Sequence, residues 1–341
     1  MAVLLKDIAK ATGFSTTTVS LALNHSPRIS ESTKKIVFEA AQKLNYVPNR
    51  VARSLATRQS QMIGLIVRAF DSTVLSKVAA LLETALADKG YGLLLVTTSS
   101  PRNEMDVLRM LESHQVDGIF MFPTLPPDKR LIDYVRGSMT PVIFLSYGQY
   151  ETCTDAVYYD REHSTYLLTK HLLDLGHREI GLICGSGQRE IISLDAERLH
   201  GYIRALEERG IPFNTNNTAI PMGKNEYEDG YDAARELTRR CDLTAIVAST
   251  DGIAIGVIHY FRTHGVRVPE DISVVSHDGS EVAQFAAVPI TSTYYDVREL
   301  VDHAVPLMME RLANPEEKSP EQVIALKSRL DIRASTAPCA K

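Results

Sequence analysis

Hydrophobic and polar positions follow two different patterns before and after about residue 60. Residues 1–57 carry apolar positions at helical spacing, which predicts helices throughout that segment. Beyond it, short apolar runs predict buried strands at MIGLIV (62–67), GLLLVT (92–97), GIFMF (118–122), PVIFL (141–145), EIGLIC (179–184), TAIVAS (244–249) and ISVVS (272–276). The amphipathic segments between these runs predict helices at 75–89, 103–114, 161–175, 196–209, 226–239 and 252–263.

The alternation of strands and helices predicts right-handed βαβ units, which build buried parallel sheets. The pattern covers most of the chain after residue 60, which is long for one sheet. Two α/β lobes are therefore the predicted architecture, and a single barrel is the alternative. A length of 341 residues suits two or three domains, and a hydrophobic fraction of 44% is enough for a sizeable core.

The first segment has the spacing of a helix-turn-helix. Ala9 allows close contact between helices, Gly13 supplies a sharp turn, and Val19 is the buried anchor of the second helix. Ser15 and Ser30 are predicted to cap the second and third helices. The residues predicted to face outward near the start of the second helix are Thr16, Thr17 and Leu21. A three-helix bundle with no role in DNA binding is the alternative.

The charge distribution favours the DNA-binding interpretation. Residues 1–60 hold nine Lys and Arg against three acidic residues, a net charge of +6. Since the whole chain has a net charge of −5, the rest of the chain carries −11. A basic head on an acidic body indicates that the head contacts a polyanion. Charge alone is equally compatible with a solvated basic surface.

Residues 49–57 form a candidate hinge. Asn49 is placed to cap a short helix from Arg50 to Ala56, which carries Arg53 and one large apolar residue, Leu55. A helix of this length is unstable alone in water, so it is predicted to fold on DNA and to insert Leu55 into the minor groove. An ordinary linker is the alternative.

Several other classes of protein are disfavoured. No phosphate-binding loop, dinucleotide fingerprint or GxSxG elbow is present, so no catalytic role and no cofactor are expected. The four cysteines have neither metal-ligand nor redox spacing, which favours a reducing compartment. No signal peptide and no membrane span are expected from the apolar runs. A cytoplasmic bacterial protein is therefore predicted.

The motifs, taken in order, resemble the LacI/GalR family of bacterial transcription regulators. They are KDIAKATGFSTTTVS…LN, ISESTKKIVFEAAQKLNYVPNRVARSLA, IGLIV, LGHREIGLICG, ERLHGY, PEDISVVSHD and PITSTYYD. Within them, STTTVS resembles the purine repressor and VSLAL resembles the maltose-regulon repressor branch. The resemblance implies an all-α helix-turn-helix headpiece and an α/β sensor domain of two lobes, like a periplasmic binding protein.

The family pattern implies domain bounds on this chain. The headpiece is expected at 1–48, the hinge helix and linker at 49–60, and the effector-binding and dimerisation domain at 61–341. Within that domain the N-terminal lobe is expected at about 61–160 and 291–319. The C-terminal lobe is expected at about 161–290 and 320–335.

The resemblance also implies roles for single residues of the headpiece. Thr16 and Thr17 match residues that contact base edges, whereas Leu21 stands where many members carry Arg or His. Leu55 matches the leucine that opens the central base step. Leu4 replaces the usual capping Thr of the first helix, which predicts a weakened helix start. The predicted DNA-binding residues are Lys6, Thr16, Thr17, Leu21, Asn24, Arg28, Asn49, Arg50, Arg53 and Leu55.

Effector contacts are expected just after the strands, because ligands of parallel α/β sheets bind at the strands' carboxyl ends. The residues predicted by this rule are Arg68, Phe122, Ser146, Thr250, Asp251, Asp278 and Tyr295. Arg198 is added by the resemblance, because its family counterpart lies on a helix and points into the cleft. By resemblance, Arg198, Asp251 and Asp278 match the strongest contacts. Val74 and Leu75 replace aromatic residues that sugar-binding members often carry, and Ser146 replaces a common Asp or Arg. These replacements leave two alternatives for the effector, an unusual sugar or a ligand that is not a sugar.

The sequence thus predicts a transcriptional regulator, a repressor, whose operator affinity a small polar effector controls. The predicted partners are a near-palindromic DNA operator, a carbohydrate-like effector and a second copy of the chain in a homodimer. A sugar-binding receptor without a DNA role is the alternative function, and salt-dependent DNA binding would distinguish the two.

Overall fold

The computed structural model describes residues 3–23, 25–46, 59–67, 73–98, 104–123, 129–146, 154–184, 192–221, 225–314 and 319–340. Within these ranges the chain divides into two compact units, residues 1–60 and 61–341. The helices are α1 Leu5–Thr12, α2 Thr16–Leu23, α3 Glu31–Lys43, α4 Thr73–Ala87, α5 Glu104–Ser113, α6 Lys129–Gly137, α7 Arg161–Asp174, α8 Ile192–Glu207, α9 Glu226–Arg240, α10 Asp251–Thr263, α11 Glu281–Gln284 and α12 Val297–Ala313. The strands are β1 Met62–Val67, β2 Gly92–Thr97, β3 Gly118–Met121, β4 Val142–Ser146, β5 Ala156–Tyr159, β6 Ile180–Ile183, β7 Thr218–Ala219, β8 Ala245–Ala248, β9 Ser273–Ser276, β10 Thr291–Tyr294, β11 Val323–Leu326 and β12 Arg329–Asp331.

The described residues of the first unit form three helices, and the predicted turn and caps are present. Gly13 has a φ of 73°, so a glycine suits the turn between α1 and α2. The Ser15 side chain accepts a hydrogen bond from the Thr18 N–H at 3.0 Å and thereby caps α2. The Ser30 side chain accepts one from the Thr33 N–H and caps α3. The buried side chains that join the three helices are Ile8, Val19, Ala22, Val37 and Ala41.

The start of α1 has a compensation that the sequence pattern did not reveal. Leu4 carries no side-chain acceptor, but the Asp7 carboxylate accepts a hydrogen bond from the Leu4 N–H at 2.8 Å. An acidic side chain in the first turn also interacts favourably with the positive end of the helix dipole. Asp7 therefore takes over part of the stabilisation that a capping Thr would supply.

The second unit contains two sheets and not one barrel. The N-terminal sheet has the order β11-β5-β4-β3-β1-β2, and all its neighbouring strands are parallel. The C-terminal sheet has the order β12-β10-β9-β8-β6-β7, with β12 antiparallel to β10. Nearly every position of the central strands is buried, as expected for sheets covered by helices on both faces. The two-lobe prediction is confirmed.

The predicted division of the lobes near the C-terminus is wrong by one strand in each lobe. The segment 291–294, expected in the N-terminal lobe, pairs with β9 of the C-terminal sheet. Conversely, the segment 323–326, expected in the C-terminal lobe, pairs with β5 of the N-terminal sheet. The hydrophobic pattern of a short strand indicates that it is a strand, but it does not indicate which sheet edge offers it hydrogen-bonding partners.

Three segments of chain connect the lobes, and polar contacts join them. They run from β5 into α7, from β10 into α12, and from β11 into β12. The Tyr159 hydroxyl donates a hydrogen bond to the Asp296 carbonyl oxygen at 2.6 Å, which joins the first connection to the second. The hydroxyls of Ser164 and Ser328 lie 2.8 Å apart and join the first connection to the third. These contacts lie where the angle between the lobes is set.

Candidate functional site

The headpiece presents an exposed polar face at the start of α2. Thr16 and Thr17 occupy the first two positions of this helix, and both are exposed. Leu21, later in the same helix, is half-buried. Lys6 in α1 is exposed, and so is Arg28 in the loop before α3. Hydroxyl and basic groups placed around a helix N-terminus are suited to phosphates and base edges in a DNA groove.

Part of the predicted DNA interface and one predicted effector residue lie outside the described residues. These are Asn24, Asn49, Arg50, Arg53, Leu55 and Arg68. Ser146 is described as the last residue of β4, by its backbone position alone.

The remaining predicted effector residues, apart from Arg198 in a helix, lie where parallel strands end, as expected. Phe122 follows β3, Thr250 and Asp251 follow β8, Asp278 follows β9, and Tyr295 follows β10. Phe122 is only 7% exposed and packs in the core of the N-terminal lobe. Thr250 caps α10, because its hydroxyl accepts a hydrogen bond from the Ile253 N–H at 3.2 Å.

Asp251 is engaged by the protein itself. One carboxylate oxygen accepts hydrogen bonds from the hydroxyls of Ser276 at 2.5 Å and Ser292 at 3.1 Å. The other accepts one from the Ser280 N–H at 2.7 Å. Burial raises the pKa of Asp251, and hydrogen bonds from these serines oppose that shift. The side chain therefore ties β9, β10 and the turn after β9 together, and the geometry gives it a positioning role toward that turn.

Asp278 lies in the turn that Asp251 holds. Its φ is 85°, a left-handed conformation that residues other than glycine rarely adopt. Burial, followed by the neighbouring carboxylates of Asp251 and Glu226, raises the pKa of Asp278 to about 8. The guanidinium groups of Arg198 and Arg161 act in the opposite direction. Backbone strain and a carboxyl group among like charges are costs that functional sites commonly retain.

Arg198 is fixed by close helix packing. It lies in α8 and is 8% exposed. Three residues further along, a Cβ at Gly201 would overlap the carbonyl oxygen of Glu162 in α7, so only glycine permits this approach of the two helices. The Arg198 charge acts on Asp278, on Tyr295 and on His277, which places these groups around one region of the cleft.

His277 is a buried residue of this region that the sequence analysis missed. Its Nε2 lies 3.2 Å from the Thr165 hydroxyl, and its Nδ1 lies 3.2 Å from the Tyr295 hydroxyl. Burial and the charges of Arg198 and Arg161 hold its pKa well below the usual range, so the imidazole is neutral. The Tyr295 ring in turn lies 4.8 Å from the ring of Tyr159, centroid to centroid. His277 thus connects the Asp278 turn to the segments between the lobes.

Arg161 and Glu226 were also missed, although a signal for Arg161 was present. Arg161 begins α7 almost directly after the strand AVYY, so the rule that placed the other residues would have selected it once this strand was recognised. Glu226 begins α9 behind the capping residue Asn225, and only the fold brings it near Asp278.

Two further classes of site are absent from the part of the chain that the structure describes. No group of three or more His, Cys, Asp or Glu side chains there is arranged to hold a metal ion. None of the described helices has both the length and the apolar character needed to cross a bilayer.

Comparison with known proteins agrees with this arrangement. Residues 4–49 match the family model for bacterial regulatory proteins of the lacI family, and residues 169–336 match that for the periplasmic binding protein-like domain. The chain is 34% identical to the HTH-type transcriptional repressor PurR of Photobacterium profundum, over 94% of this chain and 97% of that one. It is 33% identical to PurR of Pasteurella multocida, over 97% and 98%.

Two solved structures cover nearly the whole fold. A lac repressor dimer bound to operator and the anti-inducer ONPF has a TM-score of 0.86 at 25% identity, covering 99% of this chain and 100% of that one. A complex of the transcriptional regulator CelR with cellobiose has a TM-score of 0.72 at 26% identity, covering 98% and 99%.

A helix-turn-helix headpiece followed by a two-lobed binding domain defines a ligand-responsive class of DNA-binding transcriptional regulators, and this chain has that architecture. The chain belongs to the lacI family of bacterial regulatory proteins. The relatives are named as transcriptional repressors, which confirms the prediction that it is not an enzyme. The similarity of VSLAL to the maltose-regulon branch stays a prediction.

Proposed function

We propose that this protein is a repressor whose operator affinity is set by a small polar effector bound between the two lobes. The observation that carries the proposal is the strained turn at Asp278, held by Asp251 and facing Arg198. A carboxyl group and a guanidinium in one cleft can accept and donate charge-assisted hydrogen bonds to the same ligand. The effector contacts are assigned to Arg198, Thr250, Asp278 and Tyr295, with Arg68, Phe122 and Ser146 on the opposite lobe.

The chemistry of these groups favours a ligand that is rich in hydroxyl groups, such as a sugar or a sugar derivative. Neighbouring hydroxyls can donate to the Asp278 carboxylate and accept from Arg198, and the Thr250 hydroxyl can donate to a further oxygen. CelR, whose structure is similar, is described in complex with cellobiose. Val74 is buried in the N-terminal lobe, so the apolar wall there is aliphatic and gives no aromatic surface for stacking on a sugar ring at that position.

We further propose that the sensor domain forms a homodimer through the outer face of α10. An apolar groove of about 650 Å³ lies between this helix and the segments 265–270 and 286–288. Beside it Phe285 is 79% exposed and Tyr227 is 54% exposed, an unusual cost for side chains in water. A second copy is the proposed occupant, because a two-fold dimer presents two headpieces to a near-palindromic operator. The similar lac repressor is described as a dimer on its operator.

The direct experiment uses the intact protein and measures mass, DNA binding and ligand response together. Light scattering should give the mass of a dimer. A duplex selected by the protein from random-sequence DNA should bind with an affinity that falls steeply with salt, because basic residues displace counterions from phosphates. Cellobiose, ribose, hexose phosphates and hypoxanthine are then tested for a change in that affinity.

The outcomes separate the parts of the proposal. A monomer that binds its selected duplex tightly would contradict the dimer. Salt-dependent binding that no ligand of any of these chemical classes alters would contradict effector control as stated here. We place the protein in the bacterial cytoplasm, because a repressor acts where the chromosome lies, and the described cysteines Cys184, Cys241 and Cys339 form no disulfide with one another.

A further inference from the structure

The first residue of the sensor domain has an unusual backbone conformation. Gln61 precedes β1 and has a φ of 57°, in the left-handed region. The boundary between the two compact units lies between Ser60 and Gln61. A long polar side chain in this conformation is strained, and the conformation persists only where the surrounding structure imposes it. The strain therefore occurs at the point where the chain enters the sensor domain.

Three hydrogen bonds from two neighbouring strands impose this conformation. The Asp117 carboxylate accepts one from the Gln61 N–H at 2.8 Å. The Gly92 N–H donates to the Gln61 carbonyl oxygen, and the Asp117 N–H donates to the Met62 carbonyl oxygen, both at 2.8 Å. Asp117 directly precedes β3 and thus makes two contacts at the start of β1: its carboxylate binds the Gln61 N–H, and its own N–H binds the Met62 carbonyl oxygen. The carboxylate contact joins two residues that are 56 positions apart in sequence.

We propose that Asp117 is a positioning residue for DNA binding, which fixes the direction in which the chain leaves β1 toward the hinge. The inference rests on the proposed dimer. In a dimer each sensor domain starts one connection to a headpiece, and a fixed start raises the effective concentration of the second headpiece once the first is bound. Without the carboxylate, Gln61 relaxes toward an extended conformation, the connection swivels, and ordering it on DNA costs more entropy.

The sensor fold itself does not depend on this contact. The central strand β1 keeps its parallel ladders with β2 over residues 62–67 and with β3 over residues 63–66. Gln61 and Asp117 are both half-buried at the edge of the domain, outside its hydrophobic clusters. A change at Asp117 should therefore alter operator binding more than the stability of the domain.

The test compares four variants of the full chain on the duplex that the parent protein selects from random-sequence DNA. Asp117→Ala removes the acceptor, and Asp117→Asn keeps an oxygen that can accept from Gln61. Gln61→Val disfavours the left-handed conformation, whereas Gln61→Gly permits it. Asp117→Ala and Gln61→Val should weaken binding by roughly tenfold, the equivalent of about 1.4 kcal/mol. Asp117→Asn and Gln61→Gly should bind within about threefold of the parent.

Asp133→Ala is the matched control, because it removes an exposed carboxylate of the same lobe that pairs only with Lys129 of its own helix in the contacts described. It should bind like the parent. Thermal unfolding and the dimer mass are measured for every variant; each should remain folded with a midpoint within a few degrees of the parent, and the dimer mass should stay at the parent value. These two readouts distinguish a positioning effect from a loss of folding or assembly.

Parent-like binding by both Asp117→Ala and Gln61→Val would overturn the inference while leaving effector control untouched. Loss of the folded domain in both would overturn it as well, because Asp117 would then be part of the domain's stability. A parent protein that selects no duplex, or that remains monomeric, would contradict the proposed function instead, and the two failures are therefore distinguishable.

Discussion

Replacing Asp278 should stabilise the sensor domain and abolish its response to effector. The residue carries two costs in the unliganded protein: a φ of 85° and a carboxyl group whose pKa is raised to about 8. Asp278→Gly removes both costs. Asp278→Asn removes only the charge, because asparagine keeps the side-chain shape and tolerates the left-handed region better than most residues. The pair of variants therefore separates backbone strain from electrostatics.

The two costs have different pH dependences. Relief of the left-handed conformation contributes about 1 kcal/mol at any pH. The pKa of the carboxyl group is 3.8 when unperturbed and rises to about 8 in the folded state. Below about pH 4 the group is neutral and its charge costs no stability, and the stability of the folded state falls as pH increases through about 8 and the group ionises. Because Asp278 is only half-buried and solvent screens its charge, the charge term is expected to be about 1–2 kcal/mol at pH 9.

The expected result is that Asp278→Asn lies close to the parent at about pH 3.5 and exceeds it by about 1–2 kcal/mol at about pH 9. Asp278→Gly should exceed Asp278→Asn by about 1 kcal/mol at both pH values. Urea unfolding at fixed protein concentration gives these differences. Tyrosine fluorescence reports the sensor domain, since the chain has no Trp and, of its 14 Tyr, Tyr46 alone lies before residue 60.

Both variants should still bind the selected operator duplex, with an affinity that effector no longer changes. Asp133→Asn, an exposed carboxylate on the other lobe, is the control and should change neither stability nor response. An Asp278→Asn protein that is less stable than the parent at pH 9 would refute the electrostatic argument. A parent-like response to effector in either variant would refute the assignment of Asp278 to the cleft.

Three further predictions concern other parts of the molecule. Thr17→Ala should relax base preference at one position of each half-site by about 1–3 kcal/mol, measured on a panel of single-substitution duplexes, and an equal loss on every duplex would contradict it. Asp251→Ala should destabilise the sensor domain by about 1–3 kcal/mol in urea unfolding, because it removes the acceptor of the Ser280 N–H and leaves the hydroxyls of Ser276 and Ser292 to bond mainly with each other; Asp251→Asn should cost less, and equal costs would contradict the argument. Phe285→Glu should shift the mass in light scattering from dimer toward monomer with an unchanged circular dichroism spectrum, and an undiminished dimer would locate the interface elsewhere.

The pattern of apolar residues predicted the strands that are apolar along most of their length. The seven apolar runs all became strands, and six of them are buried almost throughout, whereas β2 is a partly exposed edge strand. The strands that escaped prediction are short, polar or at a sheet edge, such as β7, β11 and β12. Their stability comes from neighbouring strands that the local sequence does not describe.

The candidate site was predictable to the level of position and not of role. The rule on strand ends placed Asp251 and Asp278 at one edge of the sheet. Only the hydrogen bonds show that the Asp251 carboxylate holds the turn, whereas Asp278 lies within the turn. His277 was missed because a buried neutral histidine has no sequence signal of its own. The left-handed Gln61 was unpredictable for a related reason, since nothing local requires it and Asp117 is distant in sequence.

The positions of these residues explain how a small ligand could act on a distant headpiece. The imidazole of His277 joins the Asp278 turn to Tyr295, and the Tyr295 ring contacts Tyr159, whose hydroxyl holds the Asp296 carbonyl oxygen. In the proposed function, a ligand on Asp278 would act where the segments between the lobes meet, and we expect a small change in the turn to change the angle between the lobes. Coupling free energies between sites are typically about 1–3 kcal/mol, which a few such hydrogen bonds can supply. Because this coupling is reciprocal, operator DNA must change the affinity for effector by the same factor by which effector changes the affinity for DNA.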